Sequence, residues 1–161
     1  MSAVRYVFPK NKLAAQLRVP GGLPVVEALE AARANLEKLS AQSLKELCAL
    51  TSDAQACFER FPVDSNTDAL MELYAICARG VGMGSVCGKP AADTTLISLC
   101  DLLDRLRATG RWDREAVAVH VQTLKILVLG AGQETGEAAT AILLGLKKVS
   151  ARYAPEPDGV V

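Results

Sequence analysis

Between Pro24 and Pro62 the chain contains no glycine and no proline. Within that stretch apolar residues recur at Val25, Leu29, Ala32, Leu36, Leu39, Leu47, Leu50, Ala54, Cys57 and Phe61. At about 100° per residue these positions hold one face, which is the signature of an amphipathic helix. Pro24 is suited to the first helical position, where a missing N–H costs nothing. The stretch therefore predicts one helix roughly 55 Å long at 1.5 Å per residue. Ser40 and Ser43 interrupt the stripe, and Ser43-x-x-Glu46 has the form of a capping box. One long helix is expected, and its spacing leaves open whether it is continuous, bent or broken there.

The remaining chain repeats the helical pattern in shorter pieces. Pro62 stops the first helix, and Asp64-Ser65-Asn66 offers caps for a second, with Leu70, Leu73, Tyr74, Cys77, Gly80, Val81 and Gly84 on its stripe. Lys89-Pro90 closes that helix. A third is expected over about Ala91–Ala108, with Ala92, Leu96, Leu99, Leu102, Leu103 and Leu106 inward and Asp93, Asp101, Asp104 and Arg105 outward. Thr109-Gly110 ends it. A fourth is expected over about Trp112–Leu129 and a fifth over about Gln133–Tyr153, with Ala139, Ile142, Leu143, Leu146, Val149 and Tyr153 inward. Short connections between amphipathic helices make antiparallel neighbours. The expected fold is all-α: an antiparallel bundle of about five helices over residues 23–154, with a long first helix, an N-terminal arm and a loose tail from 155 to 161.

Composition narrows the function. Half of the 161 residues are hydrophobic, and 18 basic side chains balance 18 acidic ones. That apolar share excludes disorder for most of the chain. The zero net charge and the 4% aromatic content argue against a nucleic-acid binder. No apolar run approaches the roughly 18–20 residues of a membrane span; Ile126–Leu129, continued by Gly130 and Ala131, is as long as any. The N-terminus lacks the apolar core of a signal peptide, so a cytoplasmic location without membrane insertion is expected. Residues 1–22 stand apart. Arg5, Lys10, Lys12 and Arg18 give them +4 with no acid, so the remainder carries −4. Their apolar residues, among them Tyr6, Phe8, Leu13 and Leu17, exceed what a plain linker needs. The segment reads as an arm that either packs on its own domain or docks a partner.

Several motifs resemble chemical sites. Leu127-Val128-Leu129-Gly130-Ala131-Gly132 imitates a strand entering a dinucleotide-binding turn. No second strand with an acid follows, so a turn between helices is the better reading. Gly80-x-Gly82-x-Gly84 could cradle a phosphate, but it lacks the lysine and hydroxyl of a P-loop, and close helix packing explains Gly80 and Gly84 more simply. Cys48, Cys57, Cys77, Cys87 and Cys100 include no C-x-x-C pair and are expected as reduced, mostly buried thiols. No metal or cofactor is expected.

His120 is the chain's one histidine. A lone histidine on a bundle helix suggests phosphotransfer, which needs an exposed imidazole. On a wheel with Trp112 at zero, His120 falls near 80°, between Leu127 near 60° and Leu124 near 120°. Arg114, Glu115, Gln122 and Lys125 lie opposite. The pattern H-x-x-K-G is also absent, since positions 123 and 124 are Thr and Leu. A packed, hydrogen-bonded histidine is the favoured expectation, with His120 as a phosphoacceptor the alternative.

Three stretches carry a resemblance together: Pro20-Gly21-Gly22-Leu23, Ser98-Leu99-Cys100-Asp101-Leu102-Leu103-Asp104, and Trp112-x-x-x-Ala116-Val117-x-Val119-His120-Val121-x-x-Leu124. Over roughly residues 1–130 the chain resembles CheE, small accessory proteins of alphaproteobacterial chemotaxis clusters. The resemblance implies a place near the receptor array or the response-regulator circuit and supplies no catalytic residue. The expected function is a non-enzymatic adaptor in bacterial signal transduction. Its partner would be a signalling protein bound through Arg5, Tyr6, Phe8, Lys10, Lys12 and Arg18, and the bundle leaves room for a homo-oligomer.

Overall fold

A computed structural model describes residues 21–22, 24–61, 67–130 and 136–153. Residues 1–20 of the arm, including its six partner-binding candidates, lie outside the described residues. So do the Asp64-Ser65-Asn66 caps, the turn after Gly130 and the tail. The described residues form helices and no strand. These are α1 (Val25–Glu59), α2 (Thr67–Gly80), the single turn α3 (Met83–Val86), α4 (Pro90–Thr109), α5 (Arg114–Leu129) and α6 (Glu137–Ala151).

The long first helix is present and runs unbroken through Ser40–Ser43, since α1 is one element. A helix already supplied with i−4 carbonyls has no need of the Ser43–Glu46 box. Contacts divide the chain into two units, one ending at Asn35 and one starting at Leu36. In the first unit every described residue is exposed, so the stripe residues Val25, Leu29 and Ala32 are not core. In the second, burial starts at Leu47 and continues through Leu50, Ala54, Cys57 and Phe58.

The second unit is built around α4. Leu96, Leu99 and Leu102 are fully buried, and Leu103 and Leu106 nearly so. Sequential helices of the bundle alternate in direction, as the cross-links show. Between α1 and α2, Arg60 pairs with Glu72 at 2.9 Å near one end, while Leu50 meets Gly80 at the other. Between α4 and α5, Lys89 Nζ donates to the Leu127 carbonyl at 3.2 Å, closing the last turn of α5. Between α5 and α6, Asp113 bonds Tyr153 at one end, and Leu127 and Ala139 line one cavity at the other. An aromatic corner ties the end of α1 to the start of α5. Phe61 packs edge-on to Phe58 and Trp112, with centroids 5.9 and 5.4 Å apart, and Arg114 lies 4.6 Å over Phe58 while donating to the Phe61 carbonyl at 3.0 Å.

Where a continuous second helix is expected up to Gly84, the chain stops at Gly80, turns through Gly82 at φ 95° and restarts as α3. Gly80 does allow close packing: a Cβ there would sit 3.0 Å from Leu96 and 3.1 Å from Leu50. Gly84 has a different constraint. Its missing Cβ would lie 2.5 Å from the Lys89 carbonyl oxygen and 2.9 Å from an Asp93 carboxylate oxygen. Backbone cannot retreat as a side-chain tip can. Gly84→Ala is therefore expected to destabilise the bundle by about 1–3 kcal/mol in urea melts. Gly145→Ala, mid-helix with nothing within 4 Å of the new methyl, should instead stabilise it by about 0.5–1 kcal/mol.

Candidate functional site

His120 occupies the middle of the buried face of α5 and is 0% exposed. Its Nδ1 lies 2.8 Å from the Ala116 carbonyl oxygen. A carbonyl only accepts, so Nδ1 carries the proton. Nε2 then holds a lone pair, which faces the hydroxyls of Ser98 at 3.1 Å and Ser150 at 3.3 Å. Those hydroxyls are themselves 3.2 Å apart. One serine can donate to Nε2 while the other donates to its neighbour. Arg105 Nη1 completes the group by donating to the Ser150 carbonyl at 2.9 Å. α4, α5 and α6 are thus joined by a closed polar cluster in which each ring nitrogen has a partner.

This arrangement agrees with the wheel position and with the packed histidine. Burial lowers the His120 pKa below its ordinary 6.5, and the Ala116 carbonyl opposes that shift. The ring is neutral and closed to in-line attack by a phosphoryl donor, so the geometry does not favour a phosphoacceptor. Ser98, Ser150 and Arg105 were not expected as its partners. Ser150 was open to inference, because it follows Leu146 by four residues on the apolar side of α6.

The second polar cluster corrects an expectation. Asp93 is not on a solvated face; it is 7% exposed. Its Oδ1 accepts from the amides of Gly82 at 3.0 Å and Gly84 at 2.9 Å, and its Oδ2 from the Ser85 amide at 2.7 Å and the Ser85 hydroxyl at 2.5 Å. Beyond the close packing expected of Gly80 and Gly84, the glycine-rich turn holds an anion on its backbone amides. The anion is the chain's own carboxylate, so no phosphate is needed to explain the glycines.

The five cysteines are free. Burial pushes the Cys57 and Cys77 thiols up, and burial with the charges of Asp101 and Asp104 pushes Cys100 up to about 11. These three are thiols rather than thiolates, and weak nucleophiles. Among the described residues no group of three or more His, Cys, Asp or Glu could hold a metal ion. Lys125–Leu129 is helical, which removes the strand of the dinucleotide-like motif.

Two of the openings among the described residues exceed 500 Å³. One, of about 520 Å³, lies where α4 and α6 begin and α5 ends, lined by Cys87, Lys89, Pro90, Leu127, Thr140 and Leu143. The other, of about 560 Å³, is a shallow groove between α4 and α6, with Ile97, Leu143 and Leu144 flanked by Asp101, Arg105 and Lys147. No helix of the described residues is long and apolar enough to cross a membrane. Compared with protein families, curated proteins and solved structures, the chain matches none.

Removing the imidazole would leave a cavity and take from the Ser98 and Ser150 hydroxyls the acceptor they share. His120→Ala is expected to cost about 1–3 kcal/mol of unfolding free energy. The pH response has a definite sign. The lowered folded-state pKa contributes stability that is fully present above 6.5 and declines as pH falls below it, because the unfolded chain protonates first. Urea midpoints should drop on acidification through that window, and the alanine variant should drop less. A variant as stable as the parent at every pH contradicts this role.

Proposed function

We propose that the chain is a non-enzymatic helical adaptor in bacterial signal transduction, similar in role to the CheE accessory proteins that its sequence resembles. The observation that carries the reading is the contrast between inside and outside. The buried polar groups that could do chemistry, His120 and Asp93, are consumed by bonds within the bundle. Large apolar side chains, including Val25, Leu36, Ile126 and Leu144, are instead half exposed or more. Exposed apolar groups suit protein contacts better than catalysis.

In this reading the basic, apolar arm engages a signalling partner, a component of the receptor array or of the response-regulator circuit, and the bundle is its scaffold. Exposed charge pairs contribute only about 0–1 kcal/mol each. Tyr6, Phe8, Leu13 and Leu17 therefore supply most of the affinity, while Arg5, Lys10, Lys12 and Arg18 steer the approach. The protein would act in the cytoplasm.

Deleting residues 1–22 tests this. Far-ultraviolet circular dichroism and cooperative melting should remain largely intact, while capture of the partner from an alphaproteobacterial lysate is lost. Capture by the full chain should weaken with added salt, since screening acts on exposed charges. A truncated protein that unfolds, or that binds at full strength, moves the functional surface to the bundle. Incubation with a phosphorylated response regulator separates the alternative: acid-labile phosphate on His120 would establish phosphotransfer.

A further inference from the structure

The N-terminal half of α1 carries an apolar seam with no described partner. Val25 is 74% exposed, Leu29 54%, Leu36 57% and Leu39 51%. With Ala32 these residues are spaced alternately four and three apart, the a/d pattern of a coiled coil. Farther along the same helix, Leu47, Leu50, Ala54 and Cys57 repeat the three-four spacing and are buried. One helix thus uses one pattern twice, first facing outward and then inside a core.

We infer that this seam binds the same seam of a second copy of the chain. The placement of charge favours that occupant. With Val25 at zero on the wheel, the five seam residues lie within about 40° of it on either side. Glu27, Glu30, Glu37 and Lys38 fall between about 120° and 220°, on the opposite side of the helix. The positions that flank a coiled-coil seam are Val26, Ala28, Arg33, Asn35 and Ser40, of which only Arg33 is charged. Two identical helices can therefore meet seam to seam with little like-charge repulsion, and in a parallel pair Arg33 faces Ala28 of the other copy. A partner recognised by charge would find little to read here.

Area points the same way. The exposed portions of Val25, Val26, Leu29, Leu36 and Leu39 amount to roughly 500 Å², so self-pairing that covered them completely would bury about 1,000 Å², the lower limit for a specific interface. The small side chains of Ala28 and Ala32 let the two backbones come close. The expected product is a dimer of modest affinity that forms in the micromolar range. It does not rest on the adaptor reading, since the seam and the arm are separate segments.

Sedimentation equilibrium on the full chain tests the inference. The parent should show a concentration-dependent average mass rising toward twice that of the chain. Leu29→Glu with Leu36→Glu should hold the mass at that of one chain. At concentrations below the dimer range, helicity and melting should match the parent, because both side chains are already more than half exposed. Ile126→Glu, also half exposed but on α5, should leave the dimer intact. A parent that stays monomeric through high micromolar concentration overturns the proposal; the seam would then be covered by the chain's own first residues or by a different protein. A dimer that survives the double substitution, or is lost with Ile126→Glu alone, overturns it as well.

Discussion

The bundle depends on the leucine face of α4. Leu96, Leu99, Leu102, Leu103 and Leu106 are all buried, and α2, α3, α5 and α6 each pack against this helix. A helix covered from so many directions has little surface left for polar groups, and each polar group it does carry inward must find a partner. Asp93 finds backbone amides at one end of α4. Ser98 finds His120 and Ser150 near its middle. These clusters are consequences of placing α4 centrally, and they make its position specific where leucine contacts alone would allow sliding.

Both clusters use residues that in other settings do chemistry. A histidine beside two serines, or a glycine-rich turn holding an anion, invites a catalytic reading. The distances show both groups engaged within the fold. His120 is satisfied on both ring nitrogens within the fold, and the glycine turn is filled by Asp93. Asp113 is similar: it caps α5 by accepting from the Ala116 amide at 2.9 Å and also bonds the Tyr153 hydroxyl, which holds its carboxyl below the usual range. The fold directs these polar side chains to joining helix ends and layers.

Much of this was legible in the residues. The α4 leucines, the Gly110 stop and the inward placement of His120 follow from helical spacing alone. Three features were not. The outward half of the α1 stripe looks identical to the inward half, because periodicity marks a face without saying what covers it. Asp93 sits about 120° from the centre of the α4 stripe and reads as solvated; it is buried because the Gly82–Ser85 turn folds over it, a contact of long reach that spacing cannot announce. Ser43–Glu46 had the form of a capping box, but a local cap signal yields when the helix continues through it.

The central claim is that His120 is a neutral structural link between three helices. Long-range ¹H–¹⁵N correlation spectroscopy of the imidazole reads it most directly. Its donation to the Ala116 carbonyl requires a single Nδ1–H tautomer at neutral pH, with Nε2 unprotonated and a titration midpoint below 6.5. A ring that carries its proton on Nε2, or that averages between tautomers and titrates at the ordinary value, would contradict the account.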